Sequence, residues 1–267
     1  MKEIKTEELR ELQMQILDYV DAFCRKYGIK YTISGGTLLG AIRHGGFIPW
    51  DDDMDIQMLR DEYNRFTEVW NQHKGEHGYF ELVNIESGNS MGYPFGKVHD
   101  TRTVTYIGKL KRTGVYIDVF PVDAVKDMAD FEARHNKVKE LYKERSCAFN
   151  NLKAQVEKPT LKERLRLILF SKHTTKDFFQ LAEIINSVAL ECNGEKCPLV
   201  YEMIAGLKCN QPIPVEVFSD YVDVAFEDRS YMSVSDYDKY LTLTFGDYMT
   251  PPPAKKRVEH SFVPYWK

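Results

Sequence analysis

The stretch from Ser34 to Met58, SGGTLLGAIRHGGFIPWDDDMDIQM, restricts the fold more than any other part of the chain. Five glycines (Gly35, Gly36, Gly40, Gly45, Gly46) precede four aspartates (Asp51, Asp52, Asp53, Asp55), a composition that an ordinary hydrophobic core does not favour. From Asp53 onward polar and apolar residues alternate. In a strand, Asp53, Asp55 and Gln57 face one side and Met54, Ile56 and Met58 the other, so one face is buried and two carboxylates stand together. Two carboxylates about 4 Å apart repel by roughly 4 kcal/mol at an effective dielectric of 20, and a bound divalent cation offsets this. A solvated acidic loop has no need of such alternation. Asp51, Asp53, Asp55, Gln57 and Glu62 also imitate an EF-hand calcium loop, but Ile56 stands where that loop requires glycine.

Leu9, Leu12, Ile16, Val20, Phe23 and Tyr27 recur at helical spacing from Thr6 to Tyr27, and Gly28 is the stop. Ile29 to Ser34 reads as a strand. Thr37 to Arg43 reads as a short helix after Gly35 and Gly36, with first-turn N–H groups suited to a phosphate; a tight turn alone would also account for the two glycines. Asp61 to Trp70 has helical spacing, and Tyr79 to Ile85 and Tyr93 to Val98 read as strands. Between Lys97 and Arg112, the cations Lys97, Arg102, Lys109, Lys111 and Arg112 accompany the single anion Asp100, which suits either phosphate oxygens or a solvated hairpin.

GVYIDVFPV, Gly114 to Val122, is a strand that Pro121 ends, with Tyr116, Asp118 and Phe120 on one face. A lone carboxylate inside an apolar strand is costly unless paired or metal-bound, so Asp118 is the preferred third acidic group and Asp123 the fallback. From Asp130 the pattern becomes helical: Asp130 to about Lys153, Thr160 to Phe170 and Thr175 to Cys192. Leu161, Leu165 and Ile168 beside Lys162, Arg164 and Arg166 form either a solvated basic helix or one that rests on a membrane. Val222 to Glu227 reads as a strand and Ser235 to Phe245 as a helix, and the tail after Pro251-Pro252-Pro253 packs back. The expected organisation is a catalytic core over 1–128, a helical lobe over 129–210 and a C-terminal segment over 211–267 that packs on the core.

With 36 Lys plus Arg against 40 Asp plus Glu, the formal charge of −4 argues against a nucleic-acid binder. No run approaches the roughly 18 apolar residues of a membrane span, and the charged N-terminus is unlike a signal peptide, so the chain reads as cytoplasmic. Five scattered cysteines argue against a disulfide framework; Cys192, Cys197 and Cys209 lack the paired spacing of a zinc site, which stays open.

ISGGTLLGAIRHGGFIPWDDDMDI closely resembles the signature of the LicD family and is similar to the matching segment of the fukutin-related proteins. GVYIDVFPVD, Phe226-Glu227, YLTLTFGDYMTPPP and His260 follow in the same order. The resemblance implies an α+β, nucleotidyltransferase-like mixed sheet flanked by helices. It matches Asp53, Asp55 and Asp118 to metal-binding, catalytic carboxylates and Gly35 and Gly36 to the glycine pair. It implies Mg²⁺, or alternatively Mn²⁺, and transfer of phosphocholine from CDP-choline to a sugar hydroxyl of a cell-surface glycan precursor of teichoic-acid or lipopolysaccharide type. Ribitol or glycerol phosphate from a CDP-alcohol is the alternative cargo. Thr37, Arg43, Trp50, Lys97 and His260 are further substrate-binding candidates, and Tyr93, Tyr106 and Tyr116 join Trp50 as candidate surfaces for a quaternary ammonium. A lipid-linked acceptor would bring the protein to the inner membrane face. A nucleotide-sugar glycosyltransferase with the same Asp-x-Asp, or a cation-binding module without enzymatic activity, are the rival readings.

Overall fold

The computed structural model describes residues 1–107, 110–156, 176–204, 211–253, 257 and 263–267. A short strand β1 (Lys2–Glu3) precedes helix α1 (Thr6–Tyr27), which Gly28 closes at φ 65°. Strand β2 (Thr32–Ile33), helix α2 (Gly35–His44), strand β3 (Asp55–Leu59) and helix α3 (Arg60–Gln72) follow. Then come β4 (Phe80–Val83), β5 (Gly96–Asp100), β6 (Thr103–Ile107), β7 (Leu110–Lys111) and the long β8 (Tyr116–Val125). Helices α4 (Met128–Val156) and α5 (Phe178–Ala189) lead to β9 (Leu199–Tyr201) and β10 (Ile213–Pro214). The hairpin β11 (Tyr221–Phe226) and β12 (Arg229–Val234), helix α6 (Tyr237–Phe245) and strand β13 (Pro264–Trp266) complete the described chain.

Strand β8 is the axis of a mixed sheet. One edge runs parallel to β3, which pairs with β2; the other is shared by β5 at the start and β9 at the end, both antiparallel. Pro121 does not end this strand, contrary to the sequence expectation. The Asp118 N–H donates across to Met54 O, so by alternation the amide position of Pro121 faces the other edge. There β5 pairs only through Val119 and β9 only from Asp123, so the missing N–H removes no ladder bond.

Parity then divides the sheet. Ile56, Met58, Ile117 and Val119 are fully buried or nearly so, each worth roughly 1.5–3 kcal/mol for a large apolar side chain. Helices α1 and α3 cover this side, where the rings of Phe23, Phe66 and Trp70 meet with centroids 5.0–5.8 Å apart. Helices α4 and α5 lie antiparallel: Arg134 donates to Ala189 O at 3.1 Å near one end, and Phe149 meets Phe178 at 5.3 Å near the other. Asp177 and Gln180 form a reciprocal capping box at the start of α5. The expected helix from Thr160 to Phe170 and its basic residues Lys162, Arg164 and Arg166 lie outside the described residues. The tail packs back as a strand, with β13 between β1 and β6 and Trp266 Nε1 donating to Glu8 at 3.0 Å.

Gly40 is required by close approach. The chain after α2 folds back on it, Gly46 N–H donating to Gly40 O at 3.3 Å, and a Cβ at position 40 would overlap the Gly46 carbonyl oxygen. Gly40→Ala is expected to cost about 1–3 kcal/mol by overpacking, and to lower the thermal midpoint by about 5 °C for a chain of this size. An unchanged midpoint in a thermal scan would show that the loop yields freely.

Candidate active site

The parallel register sets Asp55 opposite Asp118 and Gln57 opposite Phe120, so these four share the sheet face that α1 and α3 leave uncovered. Lys97 on β5 is the partner of Asp118 on the opposite edge. Three neighbouring strands thus present Asp55, Asp118 and Lys97 in a row, and Lys97 Nζ is ion-paired with Asp118. Asp55 is 5% exposed and Lys97 2%. Burial opposes the lysine charge, yet Asp118, Tyr116 and Tyr93 hold its pKa well above the ordinary range.

Several segments fix the acidic ledge. Asp55 N–H donates to Thr37 Oγ1 at 2.8 Å and Ser34 N–H to Asp55 O at 3.0 Å, which ties the start of β3 to the first turn of α2. Gly35, at φ 52°, would place a Cβ 3.0 Å from Asp55 Oδ2, and a Cβ on Gly36 would run into Asp51 Oδ2. The positive end of α2 therefore faces carboxylates, which it stabilises. Arg10 donates to the carbonyls of Ile48, Pro49 and Asp51 at 2.8–3.2 Å, and Gln13 to that of Asp52 at 2.9 Å, so α1 shapes the aspartate loop from below. Asp53 lies in this loop, two residues before β3 begins.

Of the other sequence candidates, Thr37 is buried and used by the Asp55 backbone. Arg43 is at the opposite end of α2 from the glycines, where its Nη1 donates to Tyr248 O at 2.7 Å. Trp50 meets His44 edge-on at 6.0 Å and Arg257 at 4.1 Å. Tyr106 is on the second sheet, against Tyr265. Tyr93 and Tyr116 do converge on the ledge: Lys97 Nζ lies 3.5 Å from the Tyr116 ring centroid, 4.5 Å from Tyr93 and 5.2 Å from Phe95. His260 and Cys209 lie outside the described residues. Cys192 Sγ contacts Asp130 at 3.5 Å. Asp123, the fallback carboxylate, has the opposite parity to Asp118 and is bound by Arg60 at 2.7 and 3.1 Å.

The structure adds groups that no local motif announced. Gln57 Nε2 donates to Glu202, and Tyr240 Oη donates to Gln57 Oε1 at 2.9 Å. Tyr142, its phenol pushed up to about 12 by burial against the pull of Arg145, also lies within the field of Glu202, Asp118 and Lys97. Among the described residues no three His, Cys, Asp or Glu side chains converge into a closed metal cage. An oxygen ledge of this kind fits Mg²⁺, which binds through one or two carboxylates and keeps sites for water and substrate phosphate.

A mixed sheet with adjacent carboxylates on neighbouring strands, approached by a glycine-led helix, agrees with the nucleotidyltransferase-like scaffold that the resemblance implies. Residues 28–159 match the model of the LicD/FKTN/FKRP nucleotidyltransferase domain. The chain is 34% identical over 267 residues, 97% of each protein, to the lipopolysaccharide cholinephosphotransferase LicD of Haemophilus influenzae, and it belongs to the LicD family. It is also 50% identical over 38 residues, 14% of this chain and 8% of the relative, to the human ribitol 5-phosphate transferase FKRP. No helix among the described residues is long and apolar enough to cross a membrane.

Proposed function

We propose that this protein transfers a phospho-alcohol, phosphocholine from CDP-choline, to a sugar hydroxyl of a cell-surface glycan precursor. The observation that carries the reading is the register of Asp55 with Asp118 on one sheet face, in a chain similar from end to end to a cholinephosphotransferase. A Mg²⁺ or Mn²⁺ ion held by Asp55 and Asp118 would supply charge neutralisation at the donor diphosphate. Asp118 is ion-paired with Lys97, which leaves Asp53, at the less enclosed entrance, to take the proton of the attacking hydroxyl. The hydroxyl oxygen bonds to the phosphorus that carries choline, the bridging P–O bond breaks and CMP leaves. Tyr93 and Tyr116 already stabilise an ammonium, and such ring faces also suit the quaternary ammonium of choline. Peripheral contact with the inner membrane face through Lys162, Arg164 and Arg166 fits a lipid-linked acceptor.

Calorimetry with CDP-choline, CDP-ribitol and UDP-glucose, each with and without Mg²⁺, tests the assignment. CDP-choline should bind most tightly and depend on Mg²⁺. Preference for CDP-ribitol would change the cargo and keep the reaction class, preference for UDP-glucose would make the protein a glycosyltransferase, and Ca²⁺ binding without nucleotide affinity would leave a cation-binding module.

A further inference from the structure

The fold pairs most of its buried cations with acids: Arg60 with Asp123, Arg134 with Asp130 and Lys97 with Asp118. Arg112, which is buried, and Arg145, which is half-buried, depart from this rule. Arg112, 7% exposed, donates its Nε to Tyr93 Oη at 3.2 Å and lies over the rings of Tyr93, Phe178 and Phe149 at 4.6, 5.7 and 5.9 Å. Arg145, on α4, stacks over Phe178 at 4.1 Å, faces Tyr142 at 5.6 Å and donates an Nη to Gly92 O, while its buried Nε has no acceptor among the described residues. Neither guanidinium forms an ion pair with a carboxylate among the described residues. One ring, Phe178, therefore carries two like charges in a partly dry setting, and burial together with Arg112 lowers the Arg145 pKa.

Buried charges of one sign are retained where a ligand of the other sign completes them. We infer that Arg112 and Arg145 form a clamp for the diphosphate of the nucleotide-linked donor. The identity of the donor rests on the transferase reading above; the anion site itself does not. Tyr93 connects the pair to the acidic ledge, since its ring centroid lies 4.6 Å from Arg112 and 4.5 Å from Lys97. Tyr142 makes a second connection, between Arg145 and the Lys97–Asp118 pair. Planar guanidinium forks hold phosphate oxygens in pairs, and a polyanion between them replaces repulsion by two attractions. The clamp also supplies what the sequence candidates do not: Arg43 is bonded to Tyr248 O, Lys97 is neutralised by Asp118, and the amide end of α2 faces carboxylates.

Binding of inorganic pyrophosphate and of CDP-choline to the full chain, measured by calorimetry for the wild type, Arg112→Met, Arg145→Met and Arg145→Lys, tests the clamp. Either methionine variant should weaken both ligands about tenfold or more, the loss of a charge-assisted contact, and leave cytidine unaffected. Without ligand, Arg145→Met should melt at or above the wild type, because one of two like charges is gone. A variant that melts lower and still binds pyrophosphate as the wild type does would overturn the inference. If Arg145→Met does not fold, Arg145→Lys decides, since it keeps the charge and loses the fork: weaker pyrophosphate binding supports the clamp, unchanged binding overturns it. Equal CDP-choline binding by the wild type and both methionine variants would remove the clamp and leave the transferase reading intact. Arginine-dependent pyrophosphate binding without affinity for any CDP-alcohol would keep an anion site and sink the transferase reading. Displacement of pyrophosphate by glucose 6-phosphate but not by CDP-choline would overturn the assignment to the donor.

Discussion

Asp55→Asn is expected to reduce CMP release from CDP-choline by about 10²–10³-fold, the usual loss when a group that stabilises transition-state charge is removed. The substitution is isosteric and leaves the backbone bonds of residue 55 to Thr37 and Ser34 in place. It also leaves the Lys97–Asp118 pair untouched. What it removes is one negative charge from the ledge, so higher Mg²⁺ concentrations should recover part of the rate. Steady-state turnover over a Mg²⁺ series, with a thermal scan as control, reads the effect. Undiminished turnover would take Asp55 out of the chemistry, and a collapse of the thermal midpoint together with turnover would assign it to the fold. Asp118→Asn is a less clean probe, because it leaves the buried Lys97 ammonium without its partner.

The strongest sequence signal, alternation after the aspartates, reports a strand with one buried face, and β3 with its buried Ile56 and Met58 is that strand. Alternation also put Gln57 on the same side as Asp55, where it meets Glu202 and Tyr240. It carried Asp53 too far, however. Arg10 and Gln13 capture the carbonyls of the preceding loop, and the ladder begins only at Asp55. The need of Asp118 for a partner was legible, because an isolated carboxylate in an apolar strand is costly to bury. Its partner was not, because the pairing of Lys97 depends on which strand occupies the opposite edge of β8.

Long-range placement accounts for the remainder. Arg43 carries the charge expected of a phosphate contact, but the length of α2 takes it from the glycine turn to the Tyr248 carbonyl. Tyr142, Arg145 and Glu202 come from segments with no local motif, and only the packing of α4 and the chain after β9 brings them toward the ledge. Tyr93 and Tyr116 stand with Trp50 and Tyr106 as aromatic candidates, yet nothing in the sequence separates the two that surround Lys97 from the two that do not.

Asp118 and Asp123 lie on one strand five residues apart, and they should fail in different ways. Asp123 has no exposed surface; burial pushes its carboxyl up from the ordinary range against the opposing pull of Arg60 and Asn193. The Arg60–Asp123 pair is thus a structure in which attraction offsets desolvation without a large surplus. Removing one partner is another matter, since it strands the other charge. Asp123→Asn should cost about 3–5 kcal/mol, moderated by Glu86, whose Oε1 lies 3.6 Å from Arg60 Nη1. In a chain of this size that is a fall of about 10 °C in the thermal midpoint, with nucleotide affinity per folded molecule retained. Replacing both partners, Arg60→Met with Asp123→Leu, should melt above Asp123→Asn, because no charge is then left buried, although Asn193 loses the acceptor it reaches at 2.8 Å. Differential scanning calorimetry of the two variants checks the ranking. A double variant that melts below Asp123→Asn would show that the pair itself stabilises the fold, and an unchanged midpoint for Asp123→Asn would show that Glu86 alone suffices for Arg60.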